Sequence, residues 1–385
     1  REVFEEGLQL PITKLFRRGE PNEELFKIIR ANVRTPDETV GDLYAQTASN
    51  AVGARSLLQM MDEFGLETID PLADEIIARS ENALRQSIRQ IPNGRFTHTV
   101  HSDGFEQPLK LHVTVTIHNE EIDIDFAGSS PQSTRGINVV LNYTKGYASF
   151  AVKSAISPEV PHNEGSFRPV TITAPEGSIL NCKRPAAVAS RHLVGHFLPG
   201  LIFGALAQLI PDRVLAGGAD PGWMSIWRAT WPHTDKQANF TLFQLGGTGA
   251  RPTKDGLSTT GFPSGVGGVP AEIIETQAPL IQHKRELRPD SGGAGQFRGG
   301  LGQATDIAYL GTEQWSLSAM IDRTQFEPQG LLSGQAGATG EFKLDGKPAP
   351  PKTIMWLDPH TTVSLNPPGG GGYGHPLNRD PNLVL

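Results

Sequence analysis

The sequence predicts an α+β fold in which helices come first and a glycine-rich, mainly β region follows. Three observations support this class: apolar residues recur near the helical period of 3.6 in the N-terminal part, they alternate strictly between residues 111 and 126, and turn-forming glycine and proline dominate from Gly218 onward. The predicted units are residues 1–93, 94–217 and 218–385, since 385 residues exceed one typical core.

Helical periodicity predicts that residues 22–91 form helices that serve as a packing or oligomer surface. Pro36 suits the first turn of the main helix, with Thr35 as its N-cap, and Gly65 can end it. A further helix is expected from Asp70 to Ile91, where a Pro-Asn-Gly sequence follows.

The alternating stretch predicts a β-hairpin with one dry face and a turn at residues 119–120. Four potential metal ligands share its wet face, namely His112, His118, Asp123 and Asp125. Solvated strand residues are the commoner explanation of such a face, and both interpretations stay open at this point. Residues 139–156 and 190–210 are predicted to be helical.

Composition and charge exclude several classes of function. The formal net charge of −7 provides no basic surface for nucleic acid. The longest apolar stretch, residues 198–210, is too short to cross a bilayer, so we expect no membrane association. Cys182 is the single cysteine, which rules out an intrachain disulfide and suits a reducing cytoplasm.

The most informative stretch is the glycine-rich segment at residues 289–302, in which six glycines surround Asp290 and Arg298. Glycine adopts positive φ freely and allows another backbone or a ligand to approach closely. We therefore expect Gly293 and Gly300 to need positive φ in a surface built from backbone, with tight turns between strands as the alternative. No Lys-Ser or Lys-Thr follows the glycines, so the segment is not a P-loop, and the spacing of a dinucleotide fingerprint is absent.

This segment resembles the Asp-Ser-Gly-Gly-x-Gly-x-x-Arg-Gly-Gly-x-Gly signature of the hydantoinase B/oxoprolinase family. Other stretches resemble the same family and together span nearly the whole chain: residues 31–36, 163–169, 175–178, 246–263 and 367–381. The resemblance implies an ATP-dependent cyclic amidohydrolase that opens hydantoin-, oxoproline- or lactam-type rings. It implies a hetero-oligomer in which an A-type partner holds the ATP, which agrees with the missing phosphate-binding loop.

The resemblance also implies that a divalent metal is held by a lobe upstream of Glu6, so no metal ligand is assigned within this chain. That lobe is either a separate chain or missing from the sequence. Glu6 would follow it closely and is a candidate general acid or base, with a surface glutamate as the alternative. Two further interpretations stay open: a subunit of an ATP-dependent ketone carboxylase, and a non-catalytic scaffold half of a split subunit.

The remaining candidate site residues lie mainly in the two glycine-rich segments. Asp290 and Arg298 are predicted to be catalytic, although they could instead pair with each other and hold the loop. An arginine fork can bind a carboxylate or a phosphate through two parallel hydrogen bonds, and an adjacent glycine turn can add backbone donors. The residues predicted to bind substrate are Arg251, Lys254, Asp255 and His192. His192 and His196 share one helical face at i, i+4, which suits a ligand or a metal.

Overall fold

The computed structural model describes residues 2–383 and confirms a mixed arrangement of helices and sheets. The helices are α1 Glu23–Asn32, α2 Pro36–Phe64, α3 Asp70–Ile88, α4 Leu141–Ile156, α5 His192–Gly195, α6 Phe197–Leu206 and α7 Ala271–Gln277. The strands are β1 Phe16–Arg17, β2 Glu20–Pro21, β3 Gly94–Ser102, β4 Leu109–His118, β5 Glu121–Asp125, β6 Val170–Thr173, β7 Trp223–Thr230, β8 Gln237–Gln244, β9 Leu280–Leu287, β10 Gln303–Tyr309, β11 Trp315–Met320, β12 Glu341–Leu344, β13 Lys347–Pro348, β14 Lys352–Leu357 and β15 Thr362–Asn366. Among these described helices, none has both the length and the apolar content needed to cross a membrane.

The N-terminal helices follow the predicted boundaries closely. Pro36 occupies the first turn of α2, and Gly65 ends that helix in the left-handed conformation at φ 63°. The side chain of Thr35 makes no capping hydrogen bond, so the predicted N-cap contact does not form. The following helix, α3, ends at Ile88 rather than at Ile91 because a looser turn with single backbone bonds takes over.

The predicted hairpin is strands β4 and β5, joined by a two-residue turn in which Asn119 has φ 58°. Its dry face is almost fully buried: Leu111, Val113, Val115 and Ile117 are at most 1% exposed. Strand β3 pairs with β4, and β6 adds to β5 in parallel, which gives the sheet order β3-β4-β5-β6. Helices α3, α4 and α6 share one apolar core with this sheet.

The C-terminal half is a β-sandwich. One sheet has the order β14-β11-β7-β8 and the other β13-β12-β15-β10-β9. Their inner faces share a single core in which Trp227 and Trp315 stack with ring centroids 5.3 Å apart, and Val363 and Leu365 face them from the second sheet. The turns predicted for this region therefore connect strands of a sandwich.

A glycine-rich core joins the sandwich to the first sheet through direct bonds between backbones. The N–H of Gly300 donates to the carbonyl of Thr248 at 2.9 Å, and the N–H of Gly370 donates to the carbonyl of Gly300 at 2.9 Å. A Cβ atom on Gly293 would lie 2.2 Å from the carbonyl oxygen of Gln335. The expectation of positive φ at Gly293 and Gly300 was wrong, because their glycines are required by the close approach of neighbouring chains.

Candidate functional site

The best-formed opening that contains a sequence-predicted residue is a groove between the first sheet and the sandwich, with a volume of about 500 Å³. One side comes from Glu6, Phe105, Arg135 and Ser190, and the other from β14 and the end of β11. This size is typical of pockets that hold small molecules. We refer to this opening as the inter-sheet groove.

A buried lysine lies at the sandwich side of the inter-sheet groove. The Nζ atom of Lys352 is 2.7 Å from Oδ2 of Asp322, and the two side chains are 5% and 1% exposed. Asp322 also accepts hydrogen bonds from the hydroxyl of Ser102 at 2.8 Å and from the N–H of Arg323 at 2.8 Å. A buried ion pair is tolerated when its remaining lone pairs are satisfied in this way. Lys352 therefore holds a fixed positive charge beside the groove.

A second positive charge faces the same space. The guanidinium of Arg135 lies 5.5 Å from the ring centroid of Phe105, and Nζ of Lys352 lies 5.9 Å from the same ring. Arg135 also pairs with Glu106 through its Nε atom at 2.8 Å. The inter-sheet groove thus combines an aromatic surface with two cations, a combination that suits a flat ligand with a polar or anionic edge.

Glu6 lies in the inter-sheet groove, but its carboxylate is already bonded to backbone. It accepts hydrogen bonds from the N–H of Val188 at 2.8 and 2.9 Å and from the N–H of Ala189 at 2.6 Å. These bonds hold the loop that leads into Ser190, which lines the groove. Glu6 positions this loop, and its role as an acid or base stays a prediction.

His192 follows the same loop two residues after Ser190. Burial, with a contribution from Arg191, lowers the pKa of His192 to about 4, and burial with the neighbouring His192 lowers the pKa of His196 to about 3. Nε2 of His192 and Nδ1 of His196 are buried without a hydrogen-bond partner, and the two ring centroids are 5.6 Å apart. Both rings are therefore neutral at pH 7 and available as acceptors.

The second glycine-rich segment forms a closed turn away from the inter-sheet groove. The guanidinium of Arg251 donates to the backbone carbonyl of Asp255 at 2.7 and 3.1 Å. The carboxylate of Asp255 pairs with Arg379 through two bonds of 2.8 Å and accepts the N–H of Arg298 at 2.8 Å. Bonding to Arg379 lowers the pKa of Asp255. The side chains of Lys254 and Arg298 are exposed beside this turn.

Asp290 lies apart from these residues. It is exposed and has φ 55°. Within residues 2–383 no ion pair joins Asp290 to Arg298, so the alternative in which these two residues hold the loop together was wrong. The bidentate pair of Asp255 with Arg379 fastens the segment instead. The predicted site residues thus occupy three places: Glu6 and His192 near the groove, the turn at Arg251, and Asp290.

The hairpin does not provide the metal site considered from sequence. In the part of the chain that the structure describes, no three His, Cys, Asp or Glu side chains are arranged to hold a metal ion. His118 lies near Glu121 and Asp123 at 3.4 and 3.7 Å, and Nδ1 of His112 is 2.8 Å from the hydroxyl of Thr99. The described residues therefore do not fit the divalent metal that the resemblance implies.

Sequence reasoning missed a buried charged cluster behind the inter-sheet groove. Burial raises the pKa of Asp220 to about 7, and this residue lines a cavity of about 90 Å³ together with His98 and Arg323. Arg323 stacks on the ring of Phe197 at 4.5 Å and donates to the backbone carbonyl of Asp220 at 2.9 Å. No local pattern marks these residues, because their partners lie far away in sequence.

Comparison with known proteins identifies the family. A family model described as Hydantoinase B/oxoprolinase matches residues 1–376. An uncharacterised protein of Methanocaldococcus jannaschii is 35% identical, and the alignment covers 100% of this chain and 68% of that protein. The B-type subunit of a putative D-/L-hydantoinase from a Pseudomonas species is 29% identical and the beta subunit of caprolactamase from Pseudomonas jessenii is 28% identical, again over the full chain and over 68% and 69% of those proteins.

Solved structures agree with this assignment. The crystal structure of the ATP-dependent caprolactamase from Pseudomonas jessenii has a TM-score of 0.89 at 25% identity and covers 100% of this chain and 69% of that one. A nucleotide-free acetone carboxylase has a TM-score of 0.85 at 17% identity, covering 100% of this chain and 59% of that one. The second likeness shows a common fold alone.

Proposed function

The chain belongs to the hydantoinase B/oxoprolinase family, and on that premise we propose that it forms part of the B-type component of an ATP-dependent cyclic amidohydrolase. The observation that carries this proposal is the full-length likeness to the ATP-dependent caprolactamase at 25% identity. The substrates would be hydantoin-, oxoproline- or lactam-type rings. Relatives named as B-type or beta subunits support an A-type partner, and ATP would be bound there.

Chemistry explains why such a reaction needs ATP. The amide oxygen of an unstrained ring is a poor site for developing charge, and phosphorylation turns that oxygen into a leaving group. A metal supplied from elsewhere in the complex would polarise the carbonyl or activate water. This chain would contribute binding and orientation in the inter-sheet groove, where Arg135 and Lys352 place positive charge beside the ring of Phe105.

The test is an activity assay on the complete complex with its A-type partner. Ring opening of hydantoin, 5-oxoproline and caprolactam is measured together with ADP release. Arg135→Gln should lower kcat/KM on the order of a hundredfold, because a fixed charge donor is lost. The matched control is Arg95→Gln, an exposed arginine on β3 outside the groove.

Three outcomes separate the alternatives. ATP-dependent ring opening that depends on Arg135 supports the proposal. Carboxylation of a ketone without ring opening would instead make the chain part of a carboxylase. Ring opening that is identical in the Arg135→Gln and Arg95→Gln complexes would exclude the groove and leave the chain a scaffold. Arg298→Lys and Arg251→Lys in the same assay test the sequence-predicted arginines, since lysine keeps the charge but loses the planar fork.

A further inference from the structure

A long helical arm extends from the rest of the molecule. We define the arm as residues 36–79, comprising α2 and the first part of α3. Its base packs on α1, where Val40 joins the small cluster of Leu25, Phe26 and Ile29. Beyond the base, every residue from 48 to 59 is exposed, which is about three helical turns. Tertiary packing normally provides most of the stability of such a helix.

The exposed part of the arm carries large apolar side chains. They are Val52, Leu57, Leu58 and Phe64 on α2, and Leu72 and Ile76 on α3. Leu58 is 60% exposed and Phe64 is 69% exposed. Single exposed apolar residues are ordinary on a protein surface, but a group of six on two consecutive helices indicates an interaction site.

The arm also carries the whole net charge of the chain. Residues 36–79 contain nine acidic and two basic side chains, a net charge of −7, and the remaining residues contain 32 of each sign. Among residues 2–383, only two of these nine acids form an ion pair: Asp37 with Arg30, and Glu75 with Arg79. The arm is therefore an acidic surface with apolar side chains, and the rest of the molecule is electrically balanced.

We infer that the arm is a docking surface for a partner protein that presents an apolar groove bordered by lysine and arginine side chains. An amphipathic helix laid into such a groove buries its apolar face, and the basic border complements the acids. A second copy of this chain does not fit, because its arm carries the same negative charge and its remainder is neutral. The A-type subunit is the partner expected to carry this surface, so its identity rests on the proposed function.

The experiment measures the affinity of the purified A-type subunit for the full chain by calorimetry. Leu58→Asp should weaken binding at least tenfold, because it places a charge in the apolar contact. Reversing Asp62 and Glu63 to lysine should weaken binding and reduce its dependence on salt, since complementary charges are screened by added ions. The matched control is Leu377→Asp, a leucine outside the arm that is 88% exposed. All substituted residues are exposed, so melting temperatures should stay close to that of the parent.

The outcomes are distinct. Weakened binding in the arm variants with normal binding of Leu377→Asp supports the inference. Equal binding of the arm variants and the control overturns it, while the proposed two-component function stands. An A-type subunit that does not bind the parent contradicts the proposed function, and the inference with it. A dimer of the chain that Leu58→Asp dissociates would also overturn the inference, because a second copy would then be the occupant.

Discussion

The glycine-rich core offers a sharp test of the structure through Gly300. An alanine at this position would place Cβ 2.0 Å from the carbonyl oxygen of Leu257 and 2.5 Å from its carbonyl carbon. Ordinary van der Waals contacts for a Cβ atom begin at 3.4 Å. The obstruction is backbone rather than a movable side chain, so one of the two segments has to shift by more than an ångström.

That shift breaks bonds that hold the core together. The carbonyl of Leu257 accepts the N–H of Thr248 at 2.9 Å, and Gly300 bonds in turn to Thr248 and Gly370 at 2.9 Å. Two of these buried bonds cannot persist if the segments separate. Each buried group left unsatisfied costs about 1–3 kcal/mol, so Gly300→Ala should lower the free energy of unfolding by roughly 2–6 kcal/mol.

Urea denaturation of Gly300→Ala and of a matched control measures this loss. The control is Gly267→Ala, because a Cβ atom there meets nothing within 4 Å. It should stay within about 0.5 kcal/mol of the parent, as should Arg298→Ala, whose side chain is exposed. If Gly300→Ala unfolds at the same urea concentration as Gly267→Ala, the close approach of the glycine segments is not a requirement of the fold.

Three further predictions concern buried and paired charges. Burial raises the pKa of Asp220 to about 7, so the folded chain keeps a proton that the unfolded chain loses above about pH 4; the parent should lose stability relative to Asp220→Asn as the pH rises from 5 to 7, and parallel melting curves would contradict this. Lys352→Met should cost about 3–5 kcal/mol in urea unfolding by leaving Asp322 buried without its cation, and adding Asp322→Asn should restore part of it; additive losses would exclude the pair. Arg379→Lys should make the C-terminal segment more sensitive to limited proteolysis, because lysine cannot form both bonds to Asp255; an unchanged digestion rate would show that the pair does not hold the segment.

Much of the secondary structure was predictable because it follows from local pattern. The alternation of Leu111 with its neighbours specifies which face of β4 is buried, and Gly65 ends α2 because it adopts the left-handed conformation without a steric penalty. The reason for the glycines was not predictable. At Gly300 the neighbouring backbone that demands glycine belongs to residue 257, and nothing near Gly300 in sequence reports its approach.

The candidate site was predictable only in part. Glu6 and His192 were identified from motifs, and the structure places Glu6 in the inter-sheet groove and His192 two residues beyond it. The cations of the same groove, Arg135 and Lys352, were missed because neither lies in a recognisable motif. The interpretation of Asp290 with Arg298 as a pair failed because residues eight apart in a bent loop need not face each other.

The sequence by itself determined the kinds of element, their order and the family, because helical and strand periods and glycine signatures are written in neighbouring residues. Only the tertiary structure decided which charges meet. Asp255 pairs with a residue 124 positions away, and Asp103 accepts hydrogen bonds from the backbone and hydroxyl of Thr324, 221 positions away. Such partners are chosen by how the first sheet packs against the sandwich, since burial forces each charge to take whichever partner the packing brings within reach.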